Sequence, residues 1–210
     1  MIQVLIADDH SIFRDGLKRL IEEAPGMEVV GEAGSSSETL EVAGKVKPDV
    51  VLCDVVMPGR GPVETIQGLR RKVPDVRILM LTGQPEDHFA LRCLKEGAAG
   101  YLSKASLTTE LIEAIRRLAA GGRYVSEALA ETLVFSLDPD HDHLPHQKLS
   151  DREFQVMLLI AKGMPSREIA EELSLSIKTI STYRSRILEK MNLKNNAELM
   201  LYAIRHGLVT

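Results

Sequence analysis

Within the first 120 residues, short apolar runs alternate five times with stretches of helical period, and this alternation constrains the fold more than any other feature. The runs are Val4–Ala7, Val29–Val30, Val50–Cys53, Ile78–Leu81 and Ala98–Leu102, mostly β-branched or aliphatic, as strands buried on both faces require. Between them the apolar residues take helical spacing. Phe13, Leu17, Leu20 and Ile21 mark the first helix, Leu40 and Ala43 the second, and Ile66 and Leu69 the third. Leu91 and Leu94 mark the fourth, and Leu111, Ile112, Ile115 and Leu118 the fifth. Strand–helix repeated in this way predicts a five-stranded, parallel, doubly wound α/β sheet with helices on both faces.

In such sheets the working site lies at the carboxyl ends of the strands. The polar residues there are Asp8 and Asp9 after the first strand, Asp54 after the third, Thr82 after the fourth, and Ser103 and Lys104 after the fifth. Carboxylates about 4 Å apart repel by roughly 4 kcal/mol at an effective dielectric near 20, so three at one edge need compensation. Mg²⁺ suits a few carboxylates with carbonyl and water oxygens, and Lys104 adds a fixed positive charge. One carboxylate can then act as nucleophile towards a phosphoryl group whose oxygens are neutralised beside it. Singly, each residue has an ordinary explanation: a strand-end Asp caps a helix, and a lone Lys is solvated. The joint pattern carries the argument.

Gly121-Gly122 ends the fifth helix, residues 126–135 suit one further short helix, and 136–147 are polar and broken by two prolines, as a linker is. The remainder is all-α. Ser150 with Glu153 forms a capping box that opens one helix. Three more cover about Ser166–Leu173, Ser176–Met191 and Asn196–His206. Residues 148–210 hold 10 Lys+Arg against 7 Asp+Glu, while the first 147 hold 16 against 23, so an acidic front precedes a mildly basic rear. The second and third of these helices, joined at Leu173-Ser-Leu-Ser176, suit a helix-turn-helix whose second helix enters the DNA major groove. Along that helix Ile177, Ile180, Ile187, Leu188 and Met191 form the apolar side. Lys178, Ser181, Thr182 and Ser185 form the outer face with Arg184 and Arg186 at its borders, and Thr179, Tyr183 and Lys190 suit backbone contacts.

A chain of 210 residues accommodates two ordinary domains, and 44% hydrophobic residues suffice for their cores. No apolar run reaches about 18 residues, so no membrane span is expected, and the short apolar start runs directly into two acids, unlike a signal peptide. Cys53 and Cys93 are too few for a disulfide framework and fit a reduced, cytoplasmic protein, with Cys53 packed in the sheet. Asp140-His-Asp-His143 with His146 has metal-ligand residue types but reads better as solvated linker.

Leu5-Ile-Ala-Asp-Asp-His10, Asp54-Val-Val-Met-Pro-Gly59, Leu81-Thr-Gly83 and Gly100-Tyr-Leu-Ser-Lys-Ala105 resemble the receiver domain of two-component response regulators. Leu149-Ser-Asp-Arg-Glu153, Ala161-Lys-Gly163, Glu168-Ile-Ala170, Leu175-Ser-Ile-Lys-Thr-Ile180 and Leu188-Glu-Lys-Met191 resemble the LuxR-type helix-turn-helix, and the pair is similar to the NarL/FixJ class. The resemblance implies a flavodoxin-like receiver at 1–122, a linker at 123–147 and a four-helix DNA-binding domain at 148–210. It implies that Asp54 accepts a phosphoryl group from a sensor histidine kinase. Asp9, Asp54 and the main-chain carbonyl of Val56 would hold Mg²⁺, with Asp8 helping through water. Thr82 and Lys104 would bind phosphoryl oxygens, and Tyr101 would be the switch aromatic. It further implies a homodimer when active, joined through the last helix, on double-stranded DNA, and a transcription regulator rather than a turnover enzyme. Where relatives carry an acid or amide and then glycine, Gly61-Pro62 stands instead. A phosphatase would want a second acid two residues after Asp54, where Val56 stands. A phosphate-independent DNA-binding protein would not need the intact pocket.

Overall fold

A computed structural model describes residues 1–83, 90–126, 129–130, 144–173 and 175–209. The chain divides into two compact units, Met1–Leu137 and Asp138–Thr210.

In the first unit β1 (Ile2–Ala7), α1 (Ser11–Glu22), β2 (Met27–Ala33), α2 (Ser36–Val46), β3 (Val50–Asp54), α3 (Pro62–Lys72), β4 (Arg77–Thr82), α4 (Ala90–Lys95), β5 (Gly100–Ser103), α5 (Leu107–Ala119) and β6 (Tyr124–Val125) follow one another. The sheet is parallel throughout, in the order β2-β1-β3-β4-β5-β6. Every residue of β3 is buried, as the central strand of a doubly covered sheet should be. Side chains alternate across the sheet. Val4, Ile6, Val50, Leu52, Leu79 and Leu81 pack with Leu17 and Ile21 of α1 and Leu111, Ala114, Ile115 and Leu118 of α5. Leu5, Val51, Cys53, Ile78 and Met80 point the other way, and Leu40, Ile66 and Leu69 of α2 and α3 are buried too. Cys53 and Cys93 are both buried.

The five-stranded expectation is corrected by β6, which pairs Tyr124 with Gly100 and Val125 with Tyr101. Two residues after a Gly-Gly helix terminus carry no periodic signal. They dock because Gly100 has no side chain: a Cβ there would lie 2.7 Å from the Tyr124 carbonyl oxygen. The segment assigned to the linker therefore begins by extending the sheet. Most of the short helix expected at 126–135, and His141 and His143, lie outside the described residues.

In the second unit a 3₁₀ turn (Pro145–Lys148) precedes α6 (Asp151–Ala161), α7 (Ser166–Glu172), α8 (Ile177–Lys190) and α9 (Asn196–Arg205). Ser150 closes both halves of the capping box with Glu153, Ser176 caps α8 through the Thr179 N–H, and Asn195 caps α9 through the Glu198 N–H. Helix α6 is the centre of the bundle and is buried from Glu153 to Ala161, against α8 and α9. Two sequence assignments change here. Ile177, the first residue of α8 after its Ser176 cap, is 55% exposed rather than part of the apolar side. His146 is 5% exposed rather than solvated. Its Nδ1 is 2.8 Å from the Tyr202 hydroxyl, and its ring lies 5.8 Å from that of Phe154.

Candidate functional site

In the first unit Ala7 is level with Cys53, Asp54 with Leu81, and Thr82 with Ser103, so the polar residues that end or follow β1, β3, β4 and β5 meet at one edge of the sheet. Asp8, Asp54 and Thr82 are all buried. Lys104 Nζ donates to Asp8 Oδ2 at 2.6 Å and to Asp54 Oδ2 at 2.9 Å, and stands 4.4 Å from the centre of the Phe13 ring. The other Asp54 oxygen, Oδ1, accepts from the Val56 N–H at 3.3 Å. Burial pushes the Asp54 carboxyl up to about 6, against the opposing pull of the Lys104 charge and hydrogen bond. Burial also pulls the Lys104 ammonium down, but the Asp8 hydrogen bond and the Asp54 charge outweigh it, and its pKa is raised. Lys104 thus stays charged while Asp54 is largely ionised near pH 7, a carboxylate braced by a lysine.

Asp9 and His10 complete the edge. One donor atom from each of Asp8, Asp9, His10 and Asp54 lies within 4.8 Å of the others. That compactness, and the predominance of carboxylate oxygen, fit a small divalent cation. Tyr101 is 1% exposed on β5. The loop after Asp54 is tied to the start of α2. Ser36 Oγ accepts from the Arg60 N–H at 2.6 Å and donates to the Pro58 carbonyl at 3.2 Å. Gly59, at φ +100°, fits only without a side chain, since a Cβ would meet Ser36 Oγ at 2.6 Å. Pro62 then opens α3 at its first turn.

Sequence reasoning missed two members of this edge. Arg14 Nη1 donates to the Asp8 main-chain carbonyl at 2.6 Å, which fixes the β1–α1 turn. His10 caps α1 without a side-chain bond to the helix, because its ring turns back onto Asp8 and Asp9. Its adjacency to two acids was the available signal. Arg14 had none.

In the second unit Ile180 and Ile187 anchor α8 in the core. Lys178, Ser181, Thr182, Ser185 and Arg186 are exposed together, while Thr179, Tyr183 and Arg184 are half-buried. The hydroxyls of Thr182 and Ser185 donate to the carbonyls of Lys178 and Ser181, each at 3.1 Å. Two of the cations assigned to DNA are engaged within the domain. Arg184 Nε donates to Asn196 Oδ1 at 2.6 Å, and Lys190 Nζ to Glu153 Oε2 at 2.6 Å.

A parallel sheet with a lysine-braced acidic edge, followed by a capped helix-turn-helix bundle, defines a class of two-domain signalling regulator. The comparisons specify it. Residues 4–116 match the family described as response regulator receiver domain, and 147–203 match bacterial regulatory proteins, luxR family. The chain is 44% identical over 210 residues to the response regulator GacA of Pseudomonas protegens, covering all of this chain and 98% of that protein. It is 41% identical over 209 residues to the response regulator UvrY of Escherichia coli K12, covering 99% and 96%. Among solved structures it is similar to Salmonella enterica serovar Typhimurium RcsB bound to promoter rprA in the presence of phosphomimetic BeF₃⁻. There the TM-score is 0.67, with 28% identity over 96% of this chain and 98% of that one. The chain belongs to the two-component response regulators with a LuxR-type DNA-binding domain. No helix among the described residues is long and apolar enough to cross a membrane.

Proposed function

We propose that this response regulator takes a phosphoryl group onto Asp54 from a sensor histidine kinase, and that the phosphorylated form dimerises and binds promoter DNA. The observation that carries this reading is Lys104, held 2.6 Å from Asp8 and 2.9 Å from Asp54 at the carboxyl edge of the sheet. Asp54 Oδ1, the oxygen that Lys104 does not occupy, attacks the phosphorus of phosphohistidine. A P–O bond forms, the P–N bond breaks, and the histidine nitrogen leaves with its electron pair. Asp8, Asp9, Asp54 and the Val56 carbonyl would hold Mg²⁺, whose charge offsets the carboxylates and the phosphoryl oxygens. Lys104 is released from Asp54 to a phosphoryl oxygen, and Thr82 receives another. The added charge beside Thr82 and Lys104, with Tyr101 behind them, biases the receiver between two arrangements. A full switch needs about 5.5 kcal/mol of differential stabilisation.

The receiver is assigned to 1–122, the linker to 123–147 and the DNA-binding domain to 148–210. Helix α8 reads DNA with Lys178, Ser181, Thr182 and Ser185, with Arg184 and Arg186 at the borders of that face and Thr179, Tyr183 and Lys190 towards the DNA backbone. The similar RcsB is described as bound to promoter DNA in the presence of a phosphoryl mimic, which supports the coupling of the two halves. A promoter target places the protein in the cytoplasm, and a stoichiometric phosphoacceptor is not a turnover enzyme. The test is a titration of genomic fragments with the wild type and Asp54→Ala, each with and without Mg²⁺ and a small phosphodonor. Tightening by donor in the wild type alone supports the reading, and equal binding in all conditions removes the switch.

A further inference from the structure

We propose that the amino-terminal edge of the sheet holds a second ligand site, which takes the diphosphate group of a small soluble molecule. It lies at the opposite end of the strands from Asp54 and does not depend on the reading of that residue. Leu79, Gly100 and Tyr124 are level across β4, β5 and β6, so Arg77, Ala98 and Arg123 lie together where these parallel strands begin. Strand β6 completes this edge: the Tyr124 N–H donates to the Ala99 carbonyl at 3.1 Å and so seats Arg123 there. Beside these residues is a cavity of about 390 Å³, within the roughly 300–1,000 Å³ of small-molecule sites. Four cations line it, Arg70, Arg77, Lys95 and Arg123, against one acid, Asp75. Each cation comes from a different part of the fold: Arg70 from α3, Arg77 from β4, Lys95 from the end of α4 and Arg123 from the turn before β6. Their convergence runs against the charge around them, since residues 1–147 hold 16 Lys+Arg and 23 Asp+Glu.

Glycines hold two of the guanidinium groups in place. Arg70 Nη1 donates to the Glu96 carbonyl at 3.2 Å and lies over Gly97, where a Cβ would collide with it. Arg77 Nη2 lies against Gly121, 3.4 Å from where a Cβ would stand. Both glycines have positive φ, 107° and 88°, so these close approaches belong to turns that disfavour any side chain. Among the described residues Arg77, Lys95 and Arg123 have no carboxylate within ion-pair distance, and Asp75 has no cation there either. Like charges gathered without a counter-charge repel, and an anion between them removes that cost. The guanidinium fork suits phosphate oxygens, which it takes in pairs. The lining carries a net charge of +3. At roughly 1.5 to 2 negative charges per phosphate group, a diphosphate carries about three and matches it, whereas a single phosphate leaves cations uncompensated.

The experiment titrates the full chain, free of divalent ions and at constant ionic strength, separately with inorganic pyrophosphate, ADP and orthophosphate. Binding is read from the backbone amide resonances of residues 97–99 and 123, which separates this cavity from anions held by the basic DNA-binding domain. The variants are Arg123→Gln and Lys95→Gln, whose side chains are exposed and can be changed without loss of core, and Asp75→Asn. The expected result is that the tighter of pyrophosphate and ADP, which identifies the source of the diphosphate, binds at least about tenfold more tightly than orthophosphate. Its affinity should fall at least about fivefold in Arg123→Gln and in Lys95→Gln, and rise at least about twofold in Asp75→Asn. Orthophosphate binding as tightly as both diphosphates, equal affinity in the wild type and the two Gln variants, or resonances unmoved at about millimolar ligand each overturn the proposal. None of these outcomes bears on phosphorylation of Asp54, which is read separately.

Discussion

Lys190 Nζ lies 2.6 Å from Glu153 Oε2, and that same carboxylate oxygen accepts the Ser150 N–H at 2.8 Å. One acid thus closes the start of α6 and pins the end of α8. Burial pushes the Glu153 carboxyl up, but the Lys190 and Ser150 hydrogen bonds outweigh it and its pKa is lowered. A lowered carboxyl pKa contributes stability above its unfolded value, near 4.3, and loses it as pH falls through the folded value. Glu153→Gln should therefore destabilise the DNA-binding domain at pH 7. The loss is on the order of 1 kcal/mol, discounted because Lys190 is 42% exposed. Chemical denaturation between pH 3 and 7 checks this: the difference should shrink towards the acid end, and a constant difference would point to packing instead.

The same contact divides the cations of α8. Lys190 and Arg184 already have partners within the domain, whereas exposed Arg186 has no carboxylate partner among the described residues. Arg186→Ala should lower the slope of log affinity against log salt by about 1, as loss of one phosphate contact does. Arg184→Ala should weaken binding with little change of slope, and Asn196→Ala should add little to it, because both remove one tie between α8 and α9. A slope that falls equally in Arg184→Ala would place that guanidinium on a phosphate.

His146 joins the segment ahead of α6 to α9 through Tyr202, whose ring also lies 4.3 Å from that of His206, tilted by 39°. Tyr202→Phe keeps the rings and removes the hydroxyl, so it should cost about 1 kcal/mol of DNA-binding-domain stability. Thermal unfolding of the two proteins measures it, and an unchanged midpoint would show that the hydrogen bond has no net worth.

Period and punctuation made much of this architecture legible. The five apolar runs are β1 to β5, and Ser150 with Glu153 opens α6 as their spacing announced. The acidic edge was legible because a parallel sheet places strand ends together, so four separated residues become neighbours by topology alone. What stayed hidden depends on atoms rather than pattern. Tyr124 and Val125 are too few to show a period, and their docking depends on the missing Cβ of Gly100. His146 lies in a polar, proline-broken stretch, and only the placement of Tyr202 and Phe154 beside it shows that it is a core residue. Charge gives no sign of where it is engaged: only the placement of Asn196 and Glu153 shows that Arg184 and Lys190 have partners within the domain.

Lys104 and Asp54 set the last expectation. With the divalent ion removed by chelation, the folded receiver holds the Asp54 carboxyl at about 6, mainly through burial, above the value near 3.9 of an unfolded chain. A carboxyl raised in the fold favours the folded state in its protonated form. Its contribution is full below the unfolded value and is lost as pH rises through about 6. Ionised Asp54 therefore costs the metal-free receiver stability at neutral pH, on the order of 2 kcal/mol. Asp54→Asn should stabilise the chelated protein at pH 7.5, and the gain should vanish near pH 4, as read from the receiver's unfolding transition across that range. Lys104→Met should act oppositely, since it leaves Asp8 and Asp54 facing each other without their shared cation and drives the Asp54 pKa further up. Carbon-13 titration of the Asp54 carboxyl in Lys104→Met reads that shift directly. A downward movement, or an Asp54→Asn gain that does not depend on pH, would mean that burial is not what controls this carboxylate.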